Sequence, residues 1–302
     1  MNLNEEVICG FTVTEGRKRV WQKEIEMVQI FIHICKKHHL KYFAASGTLI
    51  GAIRHQGFIP WDDDIDIMMP REDYERFLQV AKEELQDPFF LQHYSTEKNY
   101  PNGHIQIRNS QTTCFIHESY VDLKNGKNCG IFIDIFPFDK VFDNYKKRQK
   151  YCKKIKVLKA LAMWRVYGTP SFLRRMIVKF YFCFHSLQKT IIKIDKLSKN
   201  LPNKDKQSLV SIPTFLPGYE KEVWDEKWFD KMVDHKFEDI EMAIPEKYDE
   251  VLRKEYGDYF VIPEDKGGAM HGQCYFDCDT PFEQYKDITK EEFEQLFVSF
   301  IL

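Results

Sequence analysis

The stretch Trp61-Asp62-Asp63-Asp64-Ile65-Asp66-Ile67 places four carboxylates within five residues, next to bulky apolar side chains. Acid and isoleucine alternate from Asp64 onward, so in a β-strand Asp64 and Asp66 would project from one face while the isoleucines enter the core. Carboxylates this close repel each other, and a hard cation such as Mg²⁺ or Mn²⁺ bound by their oxygens removes that penalty. The stretch therefore predicts a metal site for phosphate chemistry; the competing interpretation is an acidic turn that leads into a strand.

A strand, a turn of small residues and a helix are predicted just upstream of these acids. Residues 41–45 have the pattern of a short buried strand, and residues 49–55 suit a helix. Between them, Ser46 is a favourable N-cap, and Gly47 lets the backbone come close to a ligand. Because free N–H groups and the helix dipole attract anions, we expect a phosphate to bind at Ser46, Gly47 and Thr48.

Another acid lies far along the chain, in the apolar run Gly130-Ile131-Phe132-Ile133-Asp134-Ile135-Phe136-Pro137. Strand alternation places Asp134 on the face of Phe132 and Phe136, where an unpaired charge would be costly. We therefore expect Asp134 to be the third carboxylate of the site, as a metal ligand or as the group that accepts a proton from an attacking hydroxyl. The alternative is an acid that merely ends a strand near Pro137. The order of turn, two-acid strand and lone acid is typical of the nucleotidyltransferase superfamily, in which metal bridging and positioning drive phosphoryl transfer.

The chain also resembles a known family. The segment from Ser46 through Asp66, continued by Pro70-Arg71-Glu72-Asp73-Tyr74, resembles the signature of the LicD family, and further matches are Gly130–Pro137, Ile244-Pro245 and Tyr256-Gly257-Asp258-Tyr259. Members are similar to the fukutin group of glycan-modifying transferases and share a nucleotidyltransferase-type fold. They typically move a phospho-alcohol, best known as phosphocholine, from a CDP-linked donor to a glycan.

This resemblance implies a ligand set and partners. It implies Mg²⁺ or Mn²⁺ at Asp64, Asp66 and Asp134, with Asp62 as an additional ligand, and phosphate binding around Ser46 to Thr48. The implied donor is a CDP-alcohol, with CDP-choline favoured. The implied acceptor is a cell-surface glycan, such as teichoic acid or lipopolysaccharide, or its lipid-linked precursor. Two alternatives stay open: an NTP-dependent nucleotidyltransferase that releases pyrophosphate, and a non-catalytic glycan-binding or membrane-binding protein on the same fold.

Four further residues near these motifs are candidates for binding. Arg54 and His55, at the end of the helix that follows the turn, would bind donor phosphates or, alternatively, cap the helix. Arg108 would contact a phosphate or pair with Asp134. Trp61 would stack on a base or a choline-like cation, or serve as a core anchor.

Charge is distributed unevenly along the chain. The 44 basic and 46 acidic residues nearly cancel, which gives no reason to expect nucleic acid as a partner. Residues 144–200, however, contain sixteen Lys and Arg and the single acid Asp195, a local net charge of +15. A helical stripe of apolar residues runs through this segment: Leu173, Ile177, Phe180, Phe184, Leu187, Ile191 and Ile194. The pattern predicts a helical subdomain packed on the core, a helix that contacts an anionic membrane, or a surface for an anionic acceptor.

The remaining pattern predicts an α/β (α+β) fold, with a nucleotidyltransferase-like mixed sheet, flanking helices and an appended basic helical subdomain. We expect a catalytic core over residues 1–143, the basic helical subdomain over 144–235 and a C-terminal segment over 236–302 that packs back on the core. The predicted elements are helices over 17–39, 71–85 and 246–256 and strands over 89–94, 104–108, 113–117, 130–137 and 237–245, the last as an edge strand.

Three features predict a cytoplasmic protein, at most peripheral at the inner face of the membrane. No stretch approaches the roughly 20 apolar residues that a spanning helix needs. The N-terminus lacks the basic start and apolar core of a secretory signal. The eight cysteines are irregularly spaced, which predicts reduced thiols rather than disulfides.

Overall fold

The computed structural model describes residues 1–116, 118–200, 208–214, 217–264 and 274–299, without the side chains of 298 and 299. The helices in this part of the chain are α1 Glu15–His38, α2 Ser46–His55, α3 Arg71–Glu84, α4 Ser119–Lys124, α5 Tyr145–Tyr167, α6 Phe172–Phe184, α7 Leu187–Lys199, α8 Tyr248–Tyr256 and α9 Lys290–Ser299. The strands are β1 Glu6–Ile8, β2 Phe11–Val13, β3 Phe43–Ala44, β4 Asp66–Pro70, β5 Phe89–Gln92, β6 Ile105–Asn109, β7 Thr113–Phe115, β8 Ile131–Val141, β9 Leu209–Ser211, β10 Val223–Asp225, β11 Met232–Phe237, β12 Ile240–Pro245 and β13 Tyr275–Asp277.

A mixed sheet forms the centre of the molecule and confirms the predicted fold class. Its described strands follow the order β10-β9-β8-β4-β3, while β6 pairs with β8, and β5 pairs with β6. β8 runs parallel to β4 and antiparallel to β6 and β9. Because β8 is bonded on both sides, it is mostly buried, and its first eight residues form an apolar run that only Asp134 interrupts.

Helix α1 covers one face of this sheet. Thr14 caps it by accepting a hydrogen bond from the backbone N–H of Arg17, and His39 ends it in the left-handed conformation. The apolar positions predicted for this helix are all buried: Val20, Ile25, Val28, Phe31, Ile32 and Cys35. Its 3.6-residue periodicity was a reliable signal because the helix packs along its whole length on one core.

Two local expectations are wrong. Ser46 does not cap α2: the helix begins at Ser46, its N-cap position is Ala45, and no side chain caps it. Ser46 instead has a φ of 47°, a conformation that costs free energy for a residue with a Cβ. The strand of the acidic stretch begins at Asp66 rather than Asp64, so Asp64 lies in the preceding loop.

The segment over 237–245 does not join the central sheet as an edge strand. In the described residues, β12 pairs with β11 as an antiparallel hairpin, with Phe237 opposite Ile240. β9 and β10, which fall inside the stretch expected to be helical, pair with β8 and with each other. The three helices α5, α6 and α7 thus form an excursion from the sheet, and the proposed domain boundaries stay predictions.

Arg71 joins this helical excursion to the core. Its guanidinium donates twice to Asp139 on β8, at 2.7 and 2.6 Å, and once to Asp195 on α7, at 2.9 Å. Asp195 also accepts from the Tyr94 hydroxyl and pairs with Lys199. Burial would raise the pKa of Asp195, but Arg71 and Lys199 hold it below its usual range. The single acid of the basic segment is therefore the group that anchors that segment to the sheet.

We expect Asp195→Asn to lower the free energy of unfolding by about 2 kcal/mol, because it removes a charged acceptor from a buried network. The measurement is urea denaturation, with Glu226→Gln as control. Glu226 pairs with Lys140 at the surface, where an ion pair contributes roughly 1 kcal/mol at most. Equal losses in the two variants would contradict the anchoring role of Asp195.

Candidate functional site

The acidic loop ahead of β4 is held in place by α1. Arg17 Nη1 and Trp21 Nε1 both donate hydrogen bonds to the backbone carbonyl of Asp62, at 2.9 and 3.0 Å. Trp21 in turn stacks on Phe58, with ring centroids 4.6 Å apart. Two side chains from a rigid helix thus fix the carbonyl of Asp62, while its carboxylate accepts a hydrogen bond from the N–H of Asp63 at 3.3 Å.

The carboxylates of this loop converge. Asp62, Asp63 and Asp64 each offer an oxygen, and these oxygens all lie within 4.8 Å of one another. Asp63 is buried, with 5% of its surface exposed, while Asp62 and Asp64 are half-buried. The structure thus brings two of the predicted metal ligands together and adds Asp63, which the strand alternation had left out because the loop is not a strand.

The other two predicted ligands face each other across neighbouring strands. Asp66 on β4 is the register partner of Asp134 on β8, and the N–H of Asp134 donates to the carbonyl of Ile65 at 2.9 Å. Burial raises the pKa of Asp66 well above its usual range, and the charges of Asp64, Asp134 and Asp62 raise it further. The two pairs of predicted acids are therefore electrostatically one group, although they come from a loop and two strands.

The glycine turn lies directly against these acids. A Cβ at Gly47 would come within 2.4 Å of Asp62 Oδ2, so only glycine admits the carboxylate at this distance from the helix start. Thr48 Oγ1 accepts a hydrogen bond from the N–H of Asp66 at 2.8 Å, and Ala45 donates to the carbonyl of Asp66. The Thr48 side chain thus positions the acid strand, while the N-terminus of α2 faces the same space as the acids.

Arg54 and His55 lie at the other end of α2. Arg54 donates to His55 Nε2 at 2.9 Å and to the carbonyl of Tyr259 at 2.8 Å, and its guanidinium lies over the Trp61 ring. Burial, and then the charge of Arg54, lower the pKa of His55 to about 4, which keeps its imidazole neutral. Both residues thus contact other groups of the protein, and Trp61 is buried, as a core anchor would be.

Arg108 is likewise occupied by protein groups. It donates to the side chains of Gln92 and Gln106 and to the carbonyl of Gly130, and it lies over the Phe132 ring. Among the described residues, His104 lies within reach of Asp134: its Nε2 is 3.0 Å from Asp134 Oδ1. His104 is a residue that sequence reasoning missed, because it precedes β6 and carries no local pattern.

Glu24 on α1 was also missed. It is 1% exposed, and burial raises its pKa well above the usual range, with the charges of Asp64, Asp63 and Asp62 adding to the rise. The sequence does contain a signal for this acid, because Glu24 is four residues from both Val20 and Val28 and so lies on the buried face of the helix. An acid on a core-facing stripe indicates a polar site beneath it.

A second group of acids lies beside the site, around α8. Burial, together with the charge of Glu222, raises the pKa of Glu255 to about 8, and burial raises that of Glu222 to about 7. The charge of Glu222 also acts on Asp66. Burial raises the pKa of Tyr256, with Glu255, Asp66 and Glu222 adding to it and the adjacent Ser46 opposing it. We name Glu222, Glu255 and Tyr256 the α8 acidic group.

Comparisons with known proteins find a family model and several relatives of this chain. Residues 39–164 match the family model described as "LicD/FKTN/FKRP, nucleotidyltransferase domain". The lipopolysaccharide cholinephosphotransferase LicD of Haemophilus influenzae is 26% identical over 253 residues, which are 82% of this chain and 92% of that protein. An uncharacterized protein of Rickettsia prowazekii is 32% identical over 103 residues, 28% of this chain and 39% of its own. One of Rickettsia typhi is 46% identical over 57 residues, 19% of this chain and 18% of its own.

The matched domain contains the glycine turn, the acidic loop and the β4–β8 acid pair, and the similarity to the Haemophilus protein extends over most of the chain. No described helix is long and apolar enough to cross a membrane. Residues 39–164 are therefore a nucleotidyltransferase domain of the LicD family.

Proposed function

We propose that this protein is a metal-dependent transferase that moves phosphocholine from CDP-choline to a hydroxyl of a cell-surface glycan or its lipid-linked precursor. The observation that carries the proposal is the contact between the glycine turn and the acidic loop. A helix N-terminus suited to phosphate lies against carboxylates suited to a cation, which is the pairing that a metal-bound diphosphate requires. The similarity to a lipopolysaccharide cholinephosphotransferase supports the choice of cargo and acceptor class.

The ligands in this proposal are all carboxylates. Asp62, Asp64, Asp66 and Asp134 would hold Mg²⁺ or Mn²⁺, with Asp63 completing the group. Oxygen ligands suit these hard cations. The raised pKa of Asp66 supports the proposal, because buried and crowded carboxylates are stabilised by a nearby positive charge. When bound, the metal would neutralise the donor diphosphate and the charge that develops on it in the transition state.

The chain's own residues would then bind and orient the reactants. Backbone N–H groups at Ser46 and Gly47 would bind the donor phosphates. The acceptor hydroxyl would attack the phosphorus that carries choline, so that a new phosphorus–oxygen bond forms while the bond to CMP breaks. The hydroxyl proton would pass to a carboxylate; Asp134 takes this role or ligates the metal, and His104 orients it.

The α8 acidic group supports a cationic cargo. Glu255 is 7% exposed, and among the described residues no basic side chain contributes to the pKa of Glu255 or of Glu222. Tyr256 adds an aromatic ring beside them, about half exposed. Quaternary ammonium groups bind to aromatic faces and to negative charge, so we infer that the trimethylammonium of choline lies here, next to Asp66.

Asp64→Asn should lower phosphocholine transfer by about a hundredfold or more, because it removes a charged ligand of the metal. Gly47→Ala should lower it by about tenfold or more, since the added methyl displaces Asp62 or the turn. The assay follows CMP release from CDP-choline with Mg²⁺, and Glu72→Gln, an exposed acid on α3, is the control. Wild-type turnover in Asp64→Asn would rule out its metal role, and release of pyrophosphate from CTP or ATP would favour the nucleotidyltransferase alternative.

Glu222→Gln and Glu255→Gln should weaken binding of CDP-choline by about tenfold and leave CDP-glycerol unaffected. The reason is that only choline brings a positive charge, which favours the ionised carboxylates of Glu222 and Glu255 over the buried neutral acids of the ligand-free protein. Dissociation constants come from thermal-shift titration with Mg²⁺, with Glu226→Gln as the matched control. If both donors weaken equally, the cargo assignment fails; if the wild-type protein binds neither, the proposed function fails.

Stability should fall as the pH rises from about 5 to about 8, in the absence of ligand. In the folded state Glu255 keeps its proton up to about pH 8, whereas in the unfolded state it loses it near its ordinary pKa. The stabilisation from the buried neutral acid is therefore present at the acid end of this range and lost at the basic end. Thermal midpoints measured across the range should decline less in Glu255→Gln. Identical slopes in the two proteins would contradict this assignment.

A further inference from the structure

Helix α6 turns an apolar face to the solvent. The side chains are between 45 and 74% exposed, and their spacing of four and eight residues places them on one side of the helix. They are Phe172, Leu173, Met176, Ile177, Phe180 and Phe184, which we name the α6 apolar face. Contiguous apolar surface of this kind on a folded protein marks an interaction site.

The opposite side of α6 is already engaged, so this exposure follows from the fold. Val178 is buried, and Tyr181 packs against the small core that Ile155 of α5 and Ile194 of α7 form. Cation–π contacts tie the helices together: Arg174 lies over Trp164 of α5 at 4.8 Å, and Arg165 of α5 lies over Phe182 of α6 at 5.7 Å. The stripe expected to run continuously through 173–194 is thus divided: its second half is core and its first half is surface.

Charge identifies the class of partner. Alongside its apolar face α6 carries Arg174, Arg175 and Lys179, all exposed, and no acid. The surrounding segment over 144–200 has a net charge of +15. A second copy of the chain on this face would bring two such segments together, and their repulsion opposes that contact. An anionic bilayer meets both requirements, because its interface takes apolar side chains and its headgroups attract bases.

We propose that α6 docks on an anionic lipid bilayer, with its apolar face in the interface and its bases at the headgroups. A lipid-linked acceptor would be found at the same surface, and only this link to the acceptor depends on the proposed function. The docking itself depends only on α6 and is independent of catalysis.

The experiment is co-sedimentation of the full chain with phosphatidylcholine vesicles, with and without phosphatidylglycerol. Binding should require phosphatidylglycerol. Phe180→Ser together with Phe184→Ser should abolish it, and Arg175→Glu together with Lys179→Glu should lower the partition coefficient by about fivefold or more per charge. Arg174 is left unchanged because it packs on Trp164. Val7→Ser, at an equally exposed apolar residue of β1, should bind as the wild-type protein does.

Two further measurements keep the outcomes distinct. Thermal midpoints should be unchanged in all these variants, since every altered side chain is exposed. Affinity for CDP-choline with Mg²⁺ should be unchanged as well, because α6 contributes nothing to the acid site. Undiminished vesicle binding by the double Phe variant would overturn the proposal. The proposal would also be overturned if the wild-type protein did not bind the vesicles. A third contrary result would be a dimer, detected by light scattering, that the double Phe variant no longer forms.

Discussion

Repulsion among carboxylates is the constraint on which the rest of this structure depends. Asp62, Asp63 and Asp64 have oxygens within 4.8 Å of one another, and Asp66 and Asp134 face each other on paired strands. Such a group is unstable unless the backbone that carries it is held from several sides. The surrounding elements fix this backbone. Arg17 and Trp21 of α1 donate hydrogen bonds to the carbonyl of Asp62, Thr48 accepts one from the N–H of Asp66, and the parallel ladder holds β4 on β8.

The same architecture separates three chemical surfaces. The acids and the N-terminus of α2 form the centre, where negative side chains lie against the start of the helix. The α8 acidic group lies next to Asp66. Within the described residues, its two glutamates have no basic partner. The helical excursion is the basic part of the chain, with a net charge of +15 over residues 144–200. It is anchored through the Arg71–Asp195 pair and presents the α6 apolar face outward. The proposals of donor, cargo and membrane thus rest on different residues.

Local patterns predicted much of this correctly, and the exceptions have physical causes. The helix over 17–39 and the β8 strand were predicted well because each buries a regular face against one core. The prediction of Ser46 as an N-cap was wrong because its backbone has a positive φ. The preference of serine for N-cap positions contains no information about this conformation. The stripe over 173–194 was read as one helix, but a break near Ser186 begins a new helix with its own cap.

The sequence by itself determined the chemistry that the site can offer. It placed a glycine turn, a run of acids and a lone Asp in an apolar strand in one order, because these depend on residue type and short-range spacing. Only the tertiary structure decided which groups meet. Four features depend on contacts between segments far apart in the chain. Asp63 joins the loop acids, His104 reaches Asp134, Glu222 and Glu255 lie near Asp66, and one face of α6 stays exposed. Such contacts are set by how helices and strands pack, and no local pattern records them.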